Sequence, residues 1–191
     1  FKVFRHQVDD PASISDSSIT AIFEDTKGRM WVGTENGLNL FDRTHEIFYR
    51  FLPDANNPNS LNHQRVRVIA EDEQGAIWIT TPNGINKLDL NDGKNPLQGA
   101  KFSHFKHDPN NVDNLSIVYQ NKPESLSLVY TGQFAMDENR AIWILLGGLY
   151  NLSVKENYAI KQFRIEGLKE NQDFIKIYTG RNGKIWLTTS K

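Results

Sequence analysis

The sequence predicts an all-β protein built from tandem copies of one small antiparallel sheet. Tryptophans recur in near-copies of one phrase, an Asn-Gly dipeptide follows two of them, and the intervening segments are short and rich in β-branched and aromatic residues. Self-similarity of this kind is typical of repeat architectures, and these residue types favour strands. The tryptophans that mark the copies are Trp31, Trp78, Trp143 and Trp186.

The phrase is clearest in the first two copies, where residues 19–42 align without gaps on residues 66–89. Each has an Asp-x-x-Gly turn before its tryptophan, and the Asn-Gly after it favours the positive φ angles of a tight hairpin. The later copies are looser, because Arg140 replaces the glycine of the third and Gly180 the aspartate of the fourth. The residues assigned to the structural repeat are Asp25, Gly28, Trp31, Asp72, Gly75, Trp78, Asp137, Trp143, Gly183 and Trp186.

Each copy is predicted to contain four strands, and helix signals are weak. Units of about 40 to 50 residues with four antiparallel strands are typical of a β-propeller, in which each sheet is a blade stacked on its neighbours. The tryptophan of each blade is expected to be a buried wedge against the next. The chain is therefore predicted to be a β-propeller fragment of about three and a half to four blades.

The predicted boundaries leave a partial element at each end. Two architectures stay open: an arc from a larger ring, which we favour, or a small four-bladed ring closed by pairing of the two ends. The exposed faces of an arc would favour self-association. The predicted elements are an outer strand of a preceding blade over 1–8, blades over 17–52, 64–107 and 126–165, and an incomplete blade over 172–191.

Composition narrows the function classes. The net charge of −1 does not indicate a basic surface for binding polyanions, so no nucleic-acid partner is expected. The absence of cysteine excludes disulfides and thiol catalysis, and no run approaches the ~20 apolar residues of a membrane span. We find no nucleophile motif, phosphate-binding loop or metal-ligand motif. The chain is therefore expected to have no catalytic residues, no metal site and no cofactor.

The repeated phrase also carries a family resemblance. Its residues in the first copy are Asp25, Gly28, Trp31, Gly33, Thr34, Gly37, Leu38, Phe41 and Asp42. Together they resemble the two-component regulator propeller repeat, over most of the chain. The resemblance implies the periplasmic sensor region of a hybrid two-component system, or of a related sensor with a diguanylate cyclase output. It further implies a membrane-anchored parent and an oligosaccharide signal, and it assigns no ligand position.

Candidate ligand-binding residues lie on loops that join successive blades or the second and third strands of a blade, because these loops meet at one end of a propeller channel. Polar groups there can recognise sugar hydroxyls, and a histidine or tyrosine ring can stack on a sugar; the alternative is a solvated loop. The candidates are Glu35, Asn36, His63, Arg65, Asn83 and Tyr119.

Two other functions stay open at this stage. One is a structural or protein-interaction propeller that mediates dimerisation while ligand binds elsewhere. The other is a glycosidase or lyase on a propeller scaffold, which would need two carboxylates in the channel mouth. Glu35 is the acidic residue to inspect for that function.

Overall fold

The computed structural model describes residues 1–90, 95–105, 133–139, 141–145, 149–153, 159–163, 174–180 and 184–189. Within these ranges the regular secondary structure consists of β-strands, as predicted. The described residues contain no helix that is long and apolar enough to span a membrane. The strands fall into two compact units, β1–β8 and β9–β14.

The strands of the first unit are β1 Ile19–Glu24, β2 Met30–Thr34, β3 Gly37–Asp42, β4 Ile47–Phe51, β5 Val68–Glu71, β6 Ile77–Thr81, β7 Gly84–Asp89 and β8 Lys101–Phe105. They form two four-stranded sheets with the orders β1-β2-β3-β4 and β5-β6-β7-β8. Val32 pairs with Asn39 in the first sheet, and Ile79 pairs with Asn86 at the same register in the second. The sequence repeat is therefore also a structural repeat.

The two hairpin turns on either side of the tryptophan strand have different chemistry. In the first, Gly28 donates to the Asp25 carbonyl (2.9 Å) and has a φ of 74°, which favours glycine. In the second, Gly37 has a φ of 121°, but Asn36 does not have a positive φ. Among the described non-glycine residues, Glu46 alone has one. The expectation that the whole Asn-Gly dipeptide would adopt positive φ was therefore wrong. The Thr34 hydroxyl stabilises the turn instead, by accepting from the Asn36 N–H (3.1 Å).

One hydrophobic core lies between the two sheets of the first unit. Trp31 is fully buried in it, with its ring 5.9 Å from that of Phe51, and Val66 and Ile69 join it from the second copy. Trp78 is equally buried. The prediction of a core wedge is confirmed for these two tryptophans.

The strands of the second unit are β9 Gln133–Met136, β10 Ile142–Leu145, β11 Leu149–Ser153, β12 Ala159–Phe163, β13 Phe174–Thr179 and β14 Ile185–Thr189. They form a four-stranded sheet in the order β12-β11-β10-β9 and a two-stranded sheet, β13-β14. Ala135 and Ile177 form one buried cluster of this unit, with Trp143 packed against it, and Ile142 and Ile144 of β10 are also fully buried.

Trp186 departs from the prediction of a buried wedge, because 54% of its surface is exposed. Its sheet has two strands, and its indole lies over Gly180 rather than beside an aspartate. Residues 1–8 also differ from prediction, since they form no strand. His6 and Gln7 donate their backbone N–H groups to the hydroxyls of Ser17 and Ser13, and not to a neighbouring strand. The choice between arc and ring, and the blade boundaries, stay predictions.

Candidate functional site

Three loops of the first unit form what we call the loop rim: Glu35–Asn36, Asn62–Arg65 and Pro82–Asn83. The first two loops are joined by backbone hydrogen bonds, in which Gly37 donates to the Gln64 carbonyl (2.6 Å) and Val66 donates to the Thr34 carbonyl (3.0 Å). The connector between the sheets therefore runs along the hairpin of the first sheet. Five of the six predicted ligand-binding residues therefore lie on loops at the ends of two adjoining sheets, whereas Tyr119 lies outside the described residues.

Glu35 and Arg65 form a direct ion pair across the rim, with 2.6 Å between Arg65 Nε and Glu35 Oε2. Both side chains are more than a third exposed, so each remains accessible to a ligand from solvent. A pair of this kind contributes about 0.2–1 kcal/mol to stability. Its weakness means that a ligand can replace either partner at little energetic cost.

His63 lies in the same loop as Arg65 and is held by the Arg65 backbone. Its Nδ1 accepts a hydrogen bond from the Arg65 backbone N–H (3.0 Å), so the neutral ring carries its proton on Nε2. Burial lowers the pKa of His63, and the positive charges of Arg65 and Arg67 lower this pKa further. His63 is therefore neutral at pH 7, and its ring is suited to hydrogen bonding or stacking.

Asn83 is bound to the same connector through a reciprocal pair of contacts. Asn83 Nδ2 donates to the Asn62 carbonyl (3.0 Å), and Asn62 Nδ2 donates to the Asn83 carbonyl (3.2 Å). The donor capacity of Asn83 is thus partly used within the protein. Asn36 contributes its backbone N–H to the turn, as described above. These two asparagines mainly stabilise the conformation of the rim loops and leave fewer hydrogen-bonding groups for a ligand.

Two buried asparagines that support the loop rim were missed from the sequence. Asn39 Oδ1 accepts from the Ser15 N–H (2.9 Å), and Asn86 Oδ1 accepts from the Asn62 N–H (3.0 Å). Both side chains are fully buried, and each fixes the segment that enters its sheet. The signal was present, because both follow a Gly-Leu or Gly-Ile pair at the same place in the aligned copies. A polar residue repeated within a strand indicates a structural hydrogen bond.

The rim can recognise a polar ligand with a mixed set of groups: a guanidinium, a carboxylate, a neutral imidazole and amides. The described residues contain no group of three histidine, cysteine, aspartate or glutamate side chains suited to a metal ion. His104 places its Nε2 2.7 Å from the Ser60 carbonyl oxygen.

The aspartates of the repeat have a structural role in the described copies. Trp31 Nε1 donates to Asp25 Oδ2 (2.8 Å), and Trp143 Nε1 donates to Asp137 Oδ2 (2.9 Å). Asp25 also accepts from the backbone N–H groups of Lys27 (3.0 Å) and Arg29 (2.9 Å). One carboxylate thus closes the turn and anchors the indole. Gly183, the last signature residue, lies outside the described residues.

Residues 13–36 and 60–83 match the family model described as the two component regulator propeller. The two matches cover 24 residues each and fall in the first two copies of the repeat. Each match begins in the segment that enters a sheet and ends in the hairpin of the loop rim, so the family pattern includes both the buried turn and the rim. The resemblance inferred from the tryptophan phrase is confirmed.

Solved structures with the same fold include two bacterial surface or extracellular proteins. One is the extracellular domain of a protein assigned to the hybrid two-component systems of B. thetaiotaomicron, with 24% identity, a TM-score of 0.64 and coverage of 98% of this chain and 23% of that one. Another is PorZ, a surface component of the type-IX secretion system of Porphyromonas gingivalis, with 13% identity, a TM-score of 0.60 and coverage of 98% and 27%.

An enzyme also has this fold. Virginiamycin B lyase from Staphylococcus aureus is 16% identical, with a TM-score of 0.56 and coverage of 91% of this chain and 50% of that one. Identities this low establish the fold alone, and the chain spans about half or less of each relative. A comparison with curated proteins gives no significant match.

Proposed function

We propose that the chain is part of a periplasmic sensor propeller of a two-component signalling protein and that it has no catalytic activity of its own. The observation that carries the proposal is the pair of two-component regulator propeller repeats at residues 13–36 and 60–83. Support also comes from the likeness to an extracellular domain assigned to a hybrid two-component system. In this account the parent protein is anchored in a membrane and carries a kinase or cyclase output.

The loop rim is the ligand-binding surface in this proposal, and an oligosaccharide is the ligand. Glu35 can accept from a sugar hydroxyl, Arg65 can donate to a ring or hydroxyl oxygen, and neutral His63 can donate from Nε2 or stack on a sugar face. The weak Glu35–Arg65 pair leaves both groups able to change partners. Tyr119 remains a predicted second stacking surface.

Ligand binding acts on signalling through a shift in population. The ligand must bind one arrangement of the parent protein more tightly than another, since equal affinity for both shifts nothing. A tenfold preference supplies about 1.4 kcal/mol. Such a change suffices when the two arrangements are already close in free energy.

The test is a thermal-shift screen of the chain against plant, host and microbial oligosaccharides, with R65A and R43A as matched variants. Arg43 is a suitable control, because it pairs with Glu24 on an exposed surface as Arg65 does with Glu35. A glycan-dependent rise in melting temperature that is lost in R65A and kept in R43A supports the rim as the site. A rise kept in both variants places the site elsewhere. No rise with any glycan, in the chain or its parent, contradicts an oligosaccharide signal.

A second candidate is a structural propeller that mediates self-association while ligand binds elsewhere. It is favoured by the exposed apolar residues of the first unit, among them Val8, Ile19 and Ile22. Sedimentation velocity distinguishes the two functions: a dimer whose sedimentation and melting temperature no glycan changes favours the structural one. An enzymatic function on the lyase fold would require turnover of a glycan that E35Q abolishes.

A further inference from the structure

The ion pair of the loop rim is not part of the repeat. The first two copies are 47 residues apart (78 − 31), so Glu35 aligns with Pro82, and Arg65 aligns with Ser18. Neither aligned residue carries a charge. By contrast, the buried asparagine that fixes the segment entering each sheet is present in both copies. The fold of one copy therefore does not require the ion pair, and its two residues are candidates for a role in binding.

A second guanidinium group lies near this pair. Arg67 follows Arg65 by two residues, and its backbone N–H donates to the Thr80 carbonyl (2.9 Å). Burial is the main cause of the lowered pKa of His63, and the charges of Arg65 and Arg67 add to it, which places both guanidinium groups near the imidazole. The loop rim and Arg67 together thus have two guanidinium groups but one carboxylate, that of Glu35. The surplus charge is positive.

Arg65 already holds a carboxylate in an accessible position. Its Nε lies 2.6 Å from Glu35 Oε2, and both side chains are more than a third exposed. When one carboxylate replaces another, the charge-assisted hydrogen bond of the guanidinium is preserved. A neutral sugar hydroxyl, in contrast, would break the ion pair without replacing the charge. The pair therefore favours a ligand that brings its own carboxylate.

We infer that the loop rim binds the carboxylate of a uronic acid unit, which replaces Glu35 as the partner of Arg65. The inference rests on the proposed function, because it names the class of oligosaccharide that the same surface recognises. In the bound state Arg65 donates to the ligand carboxylate, His63 donates from Nε2 to a ligand oxygen, and Arg67 contributes its positive charge. Glu35 turns into solvent. It is thus an internal competitor for the ligand.

The test compares each acidic ligand with a neutral copy of itself. Oligosaccharides of galacturonate, glucuronate, mannuronate and guluronate, and the methyl ester of each, are titrated into the chain by isothermal titration calorimetry. E35Q removes the internal competitor, and R65A removes the guanidinium. E24Q is the matched control, because it also removes one negative charge from an exposed ion pair, that with Arg43, but lies outside the loop rim.

At least one acidic oligosaccharide should bind, and its methyl ester should bind about tenfold or more weakly, because the charged hydrogen bond is lost. R65A should abolish binding of the acid. E35Q should bind the acid up to about fivefold more tightly than the unmodified chain, the gain expected when a weak competing ion pair is removed. E24Q should bind it with unchanged affinity. Equal affinities for acid and ester, or weaker binding of the acid to E35Q, would overturn the inference.

The failure of this inference can be told apart from that of the proposed function. If a neutral or sulfated glycan binds, R65A abolishes its binding and no uronate binds, the inference is overturned and the proposed function stands. If neither the uronates nor any glycan of the thermal-shift panel binds the chain or its parent, both are overturned.

Discussion

The first and fourth copies of the repeat place the same tryptophan in opposite environments. Trp31 is fully buried, whereas 54% of Trp186 is exposed. In the first copy the indole donates to Asp25 (2.8 Å). In the fourth, Gly180 takes the place of the aspartate and lies against the indole. The tryptophan alone therefore does not define the core of a repeat.

The comparison indicates two requirements for burial. One is a carboxylate inside the turn, which satisfies the indole N–H where water cannot reach it. The other is a neighbouring sheet, which for Trp31 contributes Val66 and Ile69 to the same core. Substitutions in copies that meet both requirements are expected to cause the largest losses of stability, because every part of the turn then depends on the others.

The largest expected effect is on the tryptophans themselves. W31A should lower the free energy of unfolding by about 3–5 kcal/mol, since a large buried ring is removed from a core that cannot refill the space. W186A should cost about 1–2 kcal/mol, because half of its surface is already hydrated. Urea unfolding followed by circular dichroism compares the two. Equal losses would mean that the copies do not differ in packing.

The next effect should come from the aspartate of the first copy. D25A leaves the Trp31 indole N–H and the N–H groups of Lys27 and Arg29 without their acceptor, which should cost about 1–3 kcal/mol. Asp54 provides a matched control, because it accepts from the Asn56 N–H (2.9 Å) in an exposed turn. D54A should change stability by about 0.5 kcal/mol or less. Indistinguishable values for the two variants would remove the argument for a buried anchor.

A smaller effect is expected where the first turn meets the second sheet. T26V removes the hydroxyl donor to buried Glu71 but keeps the N–H donor, so a loss of about 1–2 kcal/mol is expected. Thr44 lies in another turn, where its N–H donates to Asp42 (2.8 Å). T44V should therefore have little effect on the urea midpoint. A midpoint for T26V as high as that of the unmodified chain would show that the hydrogen bond from the Thr26 hydroxyl to Glu71 does not help to hold the two sheets together.

The smallest effect should be the dependence of the anchor on pH. Burial raises the pKa of Asp25, but hydrogen bonds from Trp31 and Arg29 and the charge of Arg29 outweigh it, so the pKa is lowered from 3.8. The ionised carboxylate thus stabilises the fold fully above about pH 4, and this stability is lost as the pH falls through the folded pKa. The difference in unfolding free energy between the chain and D25N should shrink on acidification. A constant difference in unfolding free energy from pH 7 to pH 3 would show that the charge of Asp25 does not contribute to stability.

Local sequence predicted the sheets well, because each copy contains its own turn chemistry. Four-stranded sheets and the buried positions of Trp31 and Trp78 followed from one phrase and its spacing. The hydrogen bond between Asp25 and Trp31 was not foreseen, although both residues were singled out, since the contact joins positions six apart across a turn. The exposure of Trp186 could not be read from its copy, because burial depends on what covers the sheet.

The loop rim was predicted in outline and not in its bonding. Loop position placed Glu35, His63 and Arg65 at one end of the sheets, and the structure joins them through an ion pair and a backbone hydrogen bond. The roles of the aligned Asn39 and Asn86 were not predicted, because a polar residue within a strand does not indicate which segment it will bond. Whether the rim binds a ligand stays a prediction.

Hydrogen exchange at the tryptophan indoles tests the role of the aspartate–tryptophan anchor most directly. The indole N–H signals in a nitrogen-15 NMR spectrum, assigned by single substitution, report burial and hydrogen bonding together. The Trp31 signal should exchange slowly, because it is buried and donates to Asp25, and the Trp186 signal should exchange within the dead time of the measurement. Equal exchange rates at Trp31 and Trp186 would contradict the account.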